Sequence, residues 1–216
     1  VMFGSGQYLN TADLTDKSLQ TLYAVHDRGD YNRTVSHLAK RSFDSIEING
    51  LLNRKIIKSE IYSPAKYGWY LPLQTDTDER AGFTTYQNDG ERIVYRSFLV
   101  NNIWVFNSLI PNNEACGSNT SGWTMLIDWT TGLAPDFATY NADGSIPTGG
   151  NRGIDSADEG YVGFYNSVSA SELGRGGDNA FFGINDVVQK KSVDFGAADV
   201  NKRLGWEEHF PHTRLQ

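Results

Sequence analysis

Residues 36–61 read SHLAKRSFDSIEINGLLNRKIIKSEI, and this stretch decides the fold class. It divides into two extended segments, Ser36 to Ile48 and Leu51 to Ile61, on either side of the dipeptide Asn49-Gly50. Asn-Gly suits a two-residue type I′ turn because both residues tolerate a positive φ. The sequence therefore predicts a β-hairpin in which Asn49-Gly50 connects two strands.

The same signal recurs along most of the chain, in short runs of β-branched and aromatic residues closed by Gly, Asn or Asp. A second hairpin is predicted from Glu91 to Val100 and from Ile103 to Ile110, joined through Asn101-Asn102. Further strands are predicted at Val1 to Phe3, Thr21 to Asp27, Tyr67 to Leu73, Gly122 to Asp128 and Phe181 to Ile184. Helix signals are almost absent, and the glycine-rich segment 174–177 is interpreted as a flexible loop. We therefore predict an all-β fold.

A strand–loop–strand pattern occurs twice. The first copy ends in Asp27 and Gly29, and the second in Asp128 and Gly132. In each copy the aspartate side chain can cap a tight turn, and the glycine can take the positive φ that such a turn requires. The copies lie about a hundred residues apart, roughly twice the 40 to 50 residues of one propeller blade. This indicates either two blades per repeat or blades widened by insertions.

Charge and hydropathy exclude two classes of partner. The 216 residues include 26 acidic and 19 basic side chains, giving a formal net charge of -7. An acidic surface repels phosphate backbones and anionic lipids, and the basic residues are scattered. No run of 18 apolar residues occurs, so no membrane-spanning helix is predicted. Neither a nucleic acid nor a membrane span is expected.

The start of the chain and its single cysteine indicate a fragment. Val1 already lies in a predicted strand, and neither an initiator methionine nor an export signal precedes it. Cys116 is either a buried thiol or one half of a disulfide whose partner lies upstream.

Oxygen-bearing side chains are most concentrated between residues 140 and 160. Calcium takes six to eight oxygen ligands, which a loop supplies from alternating Asp or Asn residues, a backbone carbonyl and a terminal carboxylate. The candidate calcium loop is 141–158, and its candidate ligands are Asn141, Asp143, Asn151, Asp155 and Asp158.

This calcium motif is interrupted. Extra residues around Pro147 separate its two halves, and asparagine stands where aspartate would add charge, at Asn141 and Asn151. Fewer charged ligands lower the affinity, as in weak extracellular sites. The alternative interpretation is a solvated loop that binds nothing.

The search for catalytic motifs favours a protein that is not an enzyme. The four histidines form no HExxH pair, and no serine lies in a GxSxG turn. Arg28, Gly29 and Asp30 form an integrin-type tripeptide, but they coincide with the first predicted Asp–Gly turn. A structural role for this tripeptide is therefore preferred.

Several segments in order along the chain resemble the C-terminal part of the PilC/PilY family of type IV pilus tip-associated adhesins and biogenesis factors. They are Phe3 to Leu9, Gln20 to Val25, Gly68 to Leu73, Leu109 to Pro111 with Cys116, Gly122-Trp123, and Leu204 to Glu207. The most specific are GWYL at Gly68 and the run from Ile110 through Cys116 to Trp123.

The resemblance implies that residues 1–216 are the C-terminal part of a modified, quinoprotein-like β-propeller. They would form an incomplete ring of roughly three or four blades, with the calcium loop at 141–158 and a polar tail at 207–216. It also implies export to the cell surface, outer membrane or pilus tip, and a function in surface attachment and in opposing pilus retraction. The implied partners are minor pilins or other tip components and a host or abiotic surface receptor.

Two alternatives stay open. One is a quinoprotein-type dehydrogenase holding pyrroloquinoline quinone, which no feature of the sequence selects. The other is a carbohydrate-binding propeller that stacks sugars on exposed tryptophans, drawn from Trp69, Trp104, Trp123, Trp129 and Trp206. Core packing is the expected role for most of these tryptophans, because they occupy alternating strand positions.

Overall fold

The computed structural model describes residues 1–29, 34–48, 51–59, 66–74, 89–112, 120–135, 161–166, 172–176, 179–184 and 187–192. Within these ranges there are twelve strands, two short 3-10 helices (Thr11–Leu14 and Val35–His37) and no α-helix. The strands are β1 Met2–Gly4, β2 Thr21–Val25, β3 Ala39–Ile48, β4 Leu51–Ser59, β5 Gly68–Pro72, β6 Phe98–Val100, β7 Ile103–Asn107, β8 Gly122–Asp128, β9 Tyr161–Asn166, β10 Glu172–Gly176, β11 Asn179–Ile184 and β12 Val187–Ser192. The predicted all-β class is confirmed. None of the described helices could cross a membrane.

The first nine strands form one curled sheet that resembles half of a barrel, in the order β1-β2-β5-β3-β4-β9-β8-β7-β6. Neighbouring strands are antiparallel except β3 and β5, which pair in parallel at Ala39↔Trp69 and Lys40↔Tyr70. The rest of β3 runs antiparallel to β4, so this one long strand connects two antiparallel groups. Strands β10, β11 and β12 form a second, antiparallel sheet.

Both predicted hairpins are present. Ile48 pairs with Leu51, which leaves two residues to connect β3 and β4, as predicted; Asn49 and Gly50 themselves lie outside the described residues. Val100 pairs with Ile103 across the second turn, where Asn101 has a φ of 51°. Asparagine is enriched in this left-handed region because its short polar side chain bonds locally.

The structure differs from the predicted strands in three places. The strand predicted from Glu91 is confined to Phe98–Val100, because Arg92 forms an isolated bridge with Leu109 instead. Strand β9 was not predicted. Gly174 to Gly176, interpreted as a flexible loop, belong to β10 and pair with β11. Glycines carry no side chain that would indicate a strand, so the partner strand decides their conformation.

The two Asp–Gly turns form as predicted. An Asp27 carboxylate oxygen accepts from the Gly29 backbone N–H at 2.8 Å, and one of Asp128 accepts from Thr130 N–H at 2.8 Å. Gly29 and Gly132 have φ values of 73° and 71°. The repeat is thus a real structural similarity, since β1 with β2 and β7 with β8 are both antiparallel neighbours.

The core of the curled sheet is aromatic. Trp69 and Trp123 are completely buried, and Trp104 lies 6.2 Å from Trp69 and 5.0 Å from Phe106 between ring centroids. The ring N–H of Trp69 donates to the Trp129 carbonyl at 2.9 Å, which fixes its orientation. The core side of β5 therefore contacts that of β7 through tilted aromatic rings.

Candidate functional site

The candidate calcium ligands lie outside the described residues, as does the whole segment 136–160. They are Asn141, Asp143, Asn151, Asp155 and Asp158. The calcium site therefore stays a prediction from the sequence, as do the interpretations of Cys116 and of the tail 207–216. In the part of the chain that is described, no three His, Cys, Asp or Glu side chains come together to hold a metal ion.

The integrin-type tripeptide begins at the end of β2. The Arg28 guanidinium lies 4.8 Å from the centroid of the Tyr67 ring and donates to the Lys66 carbonyl at 3.2 Å. Gly29 is held by the Asp27 cap, and Asp30 lies outside the described residues. Arg28 thus packs against its own fold, which favours the structural interpretation of the turn.

A groove of about 400 Å³ opens beside this turn. Its lining includes the aliphatic residues Val25, Val35 and Leu38, with His26, Arg28 and Tyr67 among the others. Burial, followed by the charge of Arg28, lowers the pKa of His26 below its ordinary value of 6.5. The lowered pKa favours the neutral imidazole. The wall of the groove is mainly apolar, and its charged groups are the Arg28 guanidinium, the Val1 amino group and the Asp27 carboxylate.

The outward face of the sheet next to this groove carries a row of aromatic rings. Phe3 on β1 pairs with Tyr23 on β2, which pairs with Tyr70 on β5. The ring centroids are 5.1 Å and 6.5 Å apart, and each interplanar angle is 23°. This row, Phe3, Tyr23 and Tyr70, is named the aromatic row below.

Three of the four described tryptophans are too deeply buried to supply the sugar platform considered above. Trp69, Trp104 and Trp123 are at most 2% exposed, so the expectation of core packing is confirmed for these three. Trp129 is half-buried and packs against the same core. Trp206 lies outside the described residues.

A buried ion pair lies inside the curled sheet. Both terminal nitrogens of Arg54 on β4 donate to the Glu91 carboxylate, at 2.7 and 2.5 Å, and the two side chains are 2% and 3% exposed. The guanidinium lies between the rings of Phe43 on β3 and Trp123 on β8, 3.9 Å from each centroid. This bidentate, stacked geometry needs arginine, since lysine offers only a point charge.

Arg92 joins the beginning of the chain to its middle. Its guanidinium is completely buried and donates to the Gly90, Gln7 and Asp16 carbonyls at 2.8, 2.7 and 2.5 Å. The loop between β1 and β2 is thereby attached to the segment that precedes β6. Burying a guanidinium is costly unless its donors are satisfied, and the three carbonyls do this.

Sequence reasoning missed the ion pair, the Arg92 contacts and the aromatic row. For the ion pair and the Arg92 contacts, the only indication in the sequence was the pair of adjacent charges, Glu91-Arg92, at the start of a predicted strand. For the aromatic row the signal was stronger, because Tyr23 and Tyr70 alternate with apolar neighbours in two predicted strands. The sequence does not show which strands are neighbours in the sheet, so it could not show that these rings form one row.

No family model matches the chain. It is 26% identical over 168 residues to the type IV pilus biogenesis factor PilY1 homolog of Xylella fastidiosa, covering 75% of this chain and 10% of that protein. It is 23% identical over 169 residues to the type IV pilus biogenesis factor PilY1 of Pseudomonas aeruginosa, covering 65% of this chain and 14% of that protein. The chain thus spans about a tenth of the curated relatives it matches.

The fold is similar to a solved structure from the same group of proteins. The crystal structure of the Pseudomonas aeruginosa PilY1 C-terminal domain matches with a TM-score of 0.65 and 17% identity, over 91% of this chain and 42% of that one. The predicted propeller-like, incomplete ring is therefore confirmed. The relatives found by sequence and the neighbour found by fold agree, and the chain is similar in both sequence and fold to the C-terminal domain of PilY1.

Proposed function

We propose that this chain is the C-terminal domain of an exported type IV pilus biogenesis factor and acts there as a binding module, not as an enzyme. The single observation that carries the proposal is the agreement between two PilY1 relatives and a PilY1 fold over most of the chain. The proposed location is the cell surface or the pilus tip. The proposed partners are minor pilins or other tip components, together with a host or abiotic surface receptor.

The proposed activity has two parts, surface attachment and opposition to pilus retraction. The architecture supports a binding role, because a curled sheet with a rigid aromatic core presents its outer face and its loops in fixed positions. Segments that are distant in sequence are connected by the contacts of Arg54, Glu91 and Arg92. We expect these connections to let the domain transmit a load from one edge of the curled sheet to the other. This would suit a component at the end of a retracting filament.

Deletion of the encoding gene tests the pilus role. In the bacterium that carries this chain, the deletion is expected to abolish surface pili and twitching, and the wild-type gene to restore both. Piliation is measured by shearing the pili from the cells and immunoblotting the sheared fraction for the major pilin. Normal piliation and twitching in the deletion strain would contradict the proposal.

We propose further that calcium sets the conformation of the segment 141–158. The support is the donor chemistry of the sequence, in which Asn141, Asp143, Asn151, Asp155 and Asp158 supply oxygen ligands. Titration calorimetry is expected to show calcium binding to the wild type and weaker binding to Asp155→Ala. Asp44→Ala is a control, because this carboxylate belongs to β3. Equal heats for the wild type and Asp155→Ala, or no heat from either, would refute the calcium site.

A further inference from the structure

The Arg54 guanidinium has one N–H group that the ion pair does not use. Both terminal nitrogens donate to the Glu91 carboxylate, and Nη1 also lies 3.9 Å from the Met125 sulfur. Within the part of the chain that the structure describes, the Nε atom of Arg54 has no hydrogen-bond partner. Arg54 is 2% exposed, so bulk water does not reach this group. A buried donor in this position requires an acceptor, and an ordered water molecule is the usual one.

Two more buried polar groups adjoin Arg54, and among the described residues neither has a hydrogen-bond partner. They are the indole N–H of Trp123, whose side chain is completely buried, and the hydroxyl of Ser45, which is 1% exposed. The Arg54 guanidinium lies 3.9 Å from the centroid of the Trp123 ring. Ser45 is the direct cross-strand partner of Arg54 in the pairing of β3 with β4. The three groups therefore surround one place in the interior of the curled sheet.

The arrangement of these groups suits one small molecule. Directly opposed residues of antiparallel strands have Cβ atoms about 4.5–5.5 Å apart on the same face of the sheet. The guanidinium of Arg54 extends over the ring of Phe43, two residues before Ser45, so the short Ser45 side chain lies beside the stem of Arg54. Two donors can share one water molecule when they are no more than about 6 Å apart, twice a hydrogen-bond length. The strand register and the stacking distance are compatible with this span.

We propose that one buried water molecule is bound here, accepting hydrogen bonds from Arg54 Nε–H and the Trp123 indole N–H and donating one to the Ser45 hydroxyl. Three hydrogen bonds are the usual number for an internal water. Both nitrogen groups can only donate, so the ligand must accept. Glu91 already balances the charge of Arg54, and a bound anion would bring an unpaired charge into the core. Water meets both requirements.

This water completes the hydrogen bonding around the buried ion pair. With Glu91 at the two terminal nitrogens and water at Nε, each nitrogen of the Arg54 guanidinium has an acceptor. The water also connects β3, β4 and β8, which carry Ser45, Arg54 and Trp123. The site is a property of the purified chain and does not depend on the proposed pilus role, so either can fail without the other.

NMR spectroscopy of the nitrogen-15-labelled chain tests the site, because Trp123 and Trp69 form a matched pair of buried indole groups. Both side chains are completely buried, but the Trp69 N–H donates to the Trp129 carbonyl at 2.9 Å. Water-selective NOE and ROE spectra are expected to show a cross-peak between water and the Trp123 indole proton, and none at Trp69. No cross-peak at Trp123 would overturn the proposal. Cross-peaks of equal size at both tryptophans would indicate general entry of solvent and would also overturn it.

A high-resolution crystal structure of the chain, grown with bromide in the solution, identifies the ligand. The expected result is one density peak within hydrogen-bond distance of Arg54 Nε, Trp123 Nε1 and Ser45 Oγ, without an anomalous signal. An anomalous peak at this position would assign the site to an anion in place of water. That outcome, or the lack of any peak, would refute the proposed water.

Two substitutions of Ser45 then test whether the water occupies the space beside Arg54 Nε. Ser45→Val places additional methyl groups there, and is expected to remove the Trp123 cross-peak and to lower the unfolding temperature. Ser45→Ala adds no volume and leaves both nitrogen donors, so the cross-peak should remain. A cross-peak that persists in folded Ser45→Val would contradict this position of the water. If Ser45→Val does not fold, the wild-type spectra and the crystal structure decide the question.

Discussion

At the scale of single residues, the Arg54–Glu91 pair is a fully buried contact between charges 37 positions apart in the chain. Two charges are removed from water there, and their mutual attraction and the two flanking rings offset the cost of desolvation. A buried ion pair of this kind contributes little net stability over an apolar substitute, but removing one partner leaves the other charged and unpaired. We therefore expect the pair to help specify how β3, β4 and β8 meet the segment before β6.

Glu91→Ala is expected to lower the free energy of unfolding by about 3–5 kcal/mol, because the buried Arg54 guanidinium loses its counter-charge. Urea denaturation followed by tryptophan fluorescence measures this change. Glu47→Ala is the matched control, since it removes an exposed carboxylate from β3 and is expected to change stability by less than about 0.5 kcal/mol. Similar losses in the two variants would show that the pair has no special role.

Asp13 stabilises the loop between β1 and β2 through its ionised form. Its carboxylate accepts from the Leu9 and Asn10 backbone N–H groups at 2.7 and 3.0 Å, and these bonds lower the pKa of Asp13 below its ordinary value of 3.8. A lowered folded-state pKa contributes stability above the unfolded pKa, and this contribution is lost as the pH falls through the folded value.

The variant Asp13→Asn is therefore expected to be less stable than the wild type at pH 7, and the difference should shrink as the pH falls below about 4. Unfolding temperatures measured between pH 7 and pH 3 give this difference directly. A difference that stays constant over this range would contradict the role of the charged carboxylate.

At the scale of elements, the two Asp–Gly turns share a backbone conformation but differ in their surroundings. Gly29 and Gly132 have nearly the same positive φ, but a Cβ on Gly29 would meet open space whereas one on Gly132 would overlap the Trp69 ring. The first turn therefore needs glycine only for its backbone. The second needs it also because the turn lies directly on the aromatic core.

These two turns give a matched pair of variants. Gly29→Ala is expected to cost about 1–2 kcal/mol, the penalty for an L residue in the left-handed region. Gly132→Ala is expected to cost clearly more, because the Trp69 ring must also shift in a densely packed core. Chemical denaturation measures the loss in free energy of unfolding for each variant. Equal losses would mean that the Trp69 ring moves to accept a Cβ at Gly132 without a further cost.

At the scale of the whole molecule, the curled sheet is held by contacts between residues far apart in the chain. Arg92 reaches the Gln7 and Asp16 carbonyls, and the Ile93 backbone N–H donates to the Ser5 carbonyl at 3.4 Å. These contacts bring the segment before β6 against the region around β1, so the two ends of the curled sheet are connected through this segment. The rigidity proposed for the binding module depends on these connections.

Arg92→Ala is expected to release the loop between β1 and β2 before the rest of the sheet unfolds. Hydrogen exchange of backbone amides in residues 7–17 should become faster, while strand β8 stays protected. Arg92→Lys is expected to retain little of the protection of residues 7–17, because one ammonium group cannot donate to three separate carbonyls as the planar guanidinium does. Unchanged exchange in residues 7–17 would show that the loop is held by other contacts.

The sequence by itself determined the all-β class, both hairpins and the two Asp–Gly turns. Each of these depends on hydrogen bonds and φ preferences within a few residues, as at Asn101 and between Asp27 and Gly29. The PilC/PilY resemblance, carried by segments such as GWYL at Gly68, also came from the sequence. The calcium loop rests on the sequence alone.

The tertiary structure decided what lies side by side. It paired β9 with β4 and β8, placed Glu91 against Arg54, and put Trp69 inside the core while Tyr70, the next residue, faces outward beside Tyr23. These outcomes depend on contacts between residues tens of positions apart, whose free energy is gained only when the sheet is assembled. Local sequence cannot report such contacts, and for this reason the aromatic row became visible only in the folded chain.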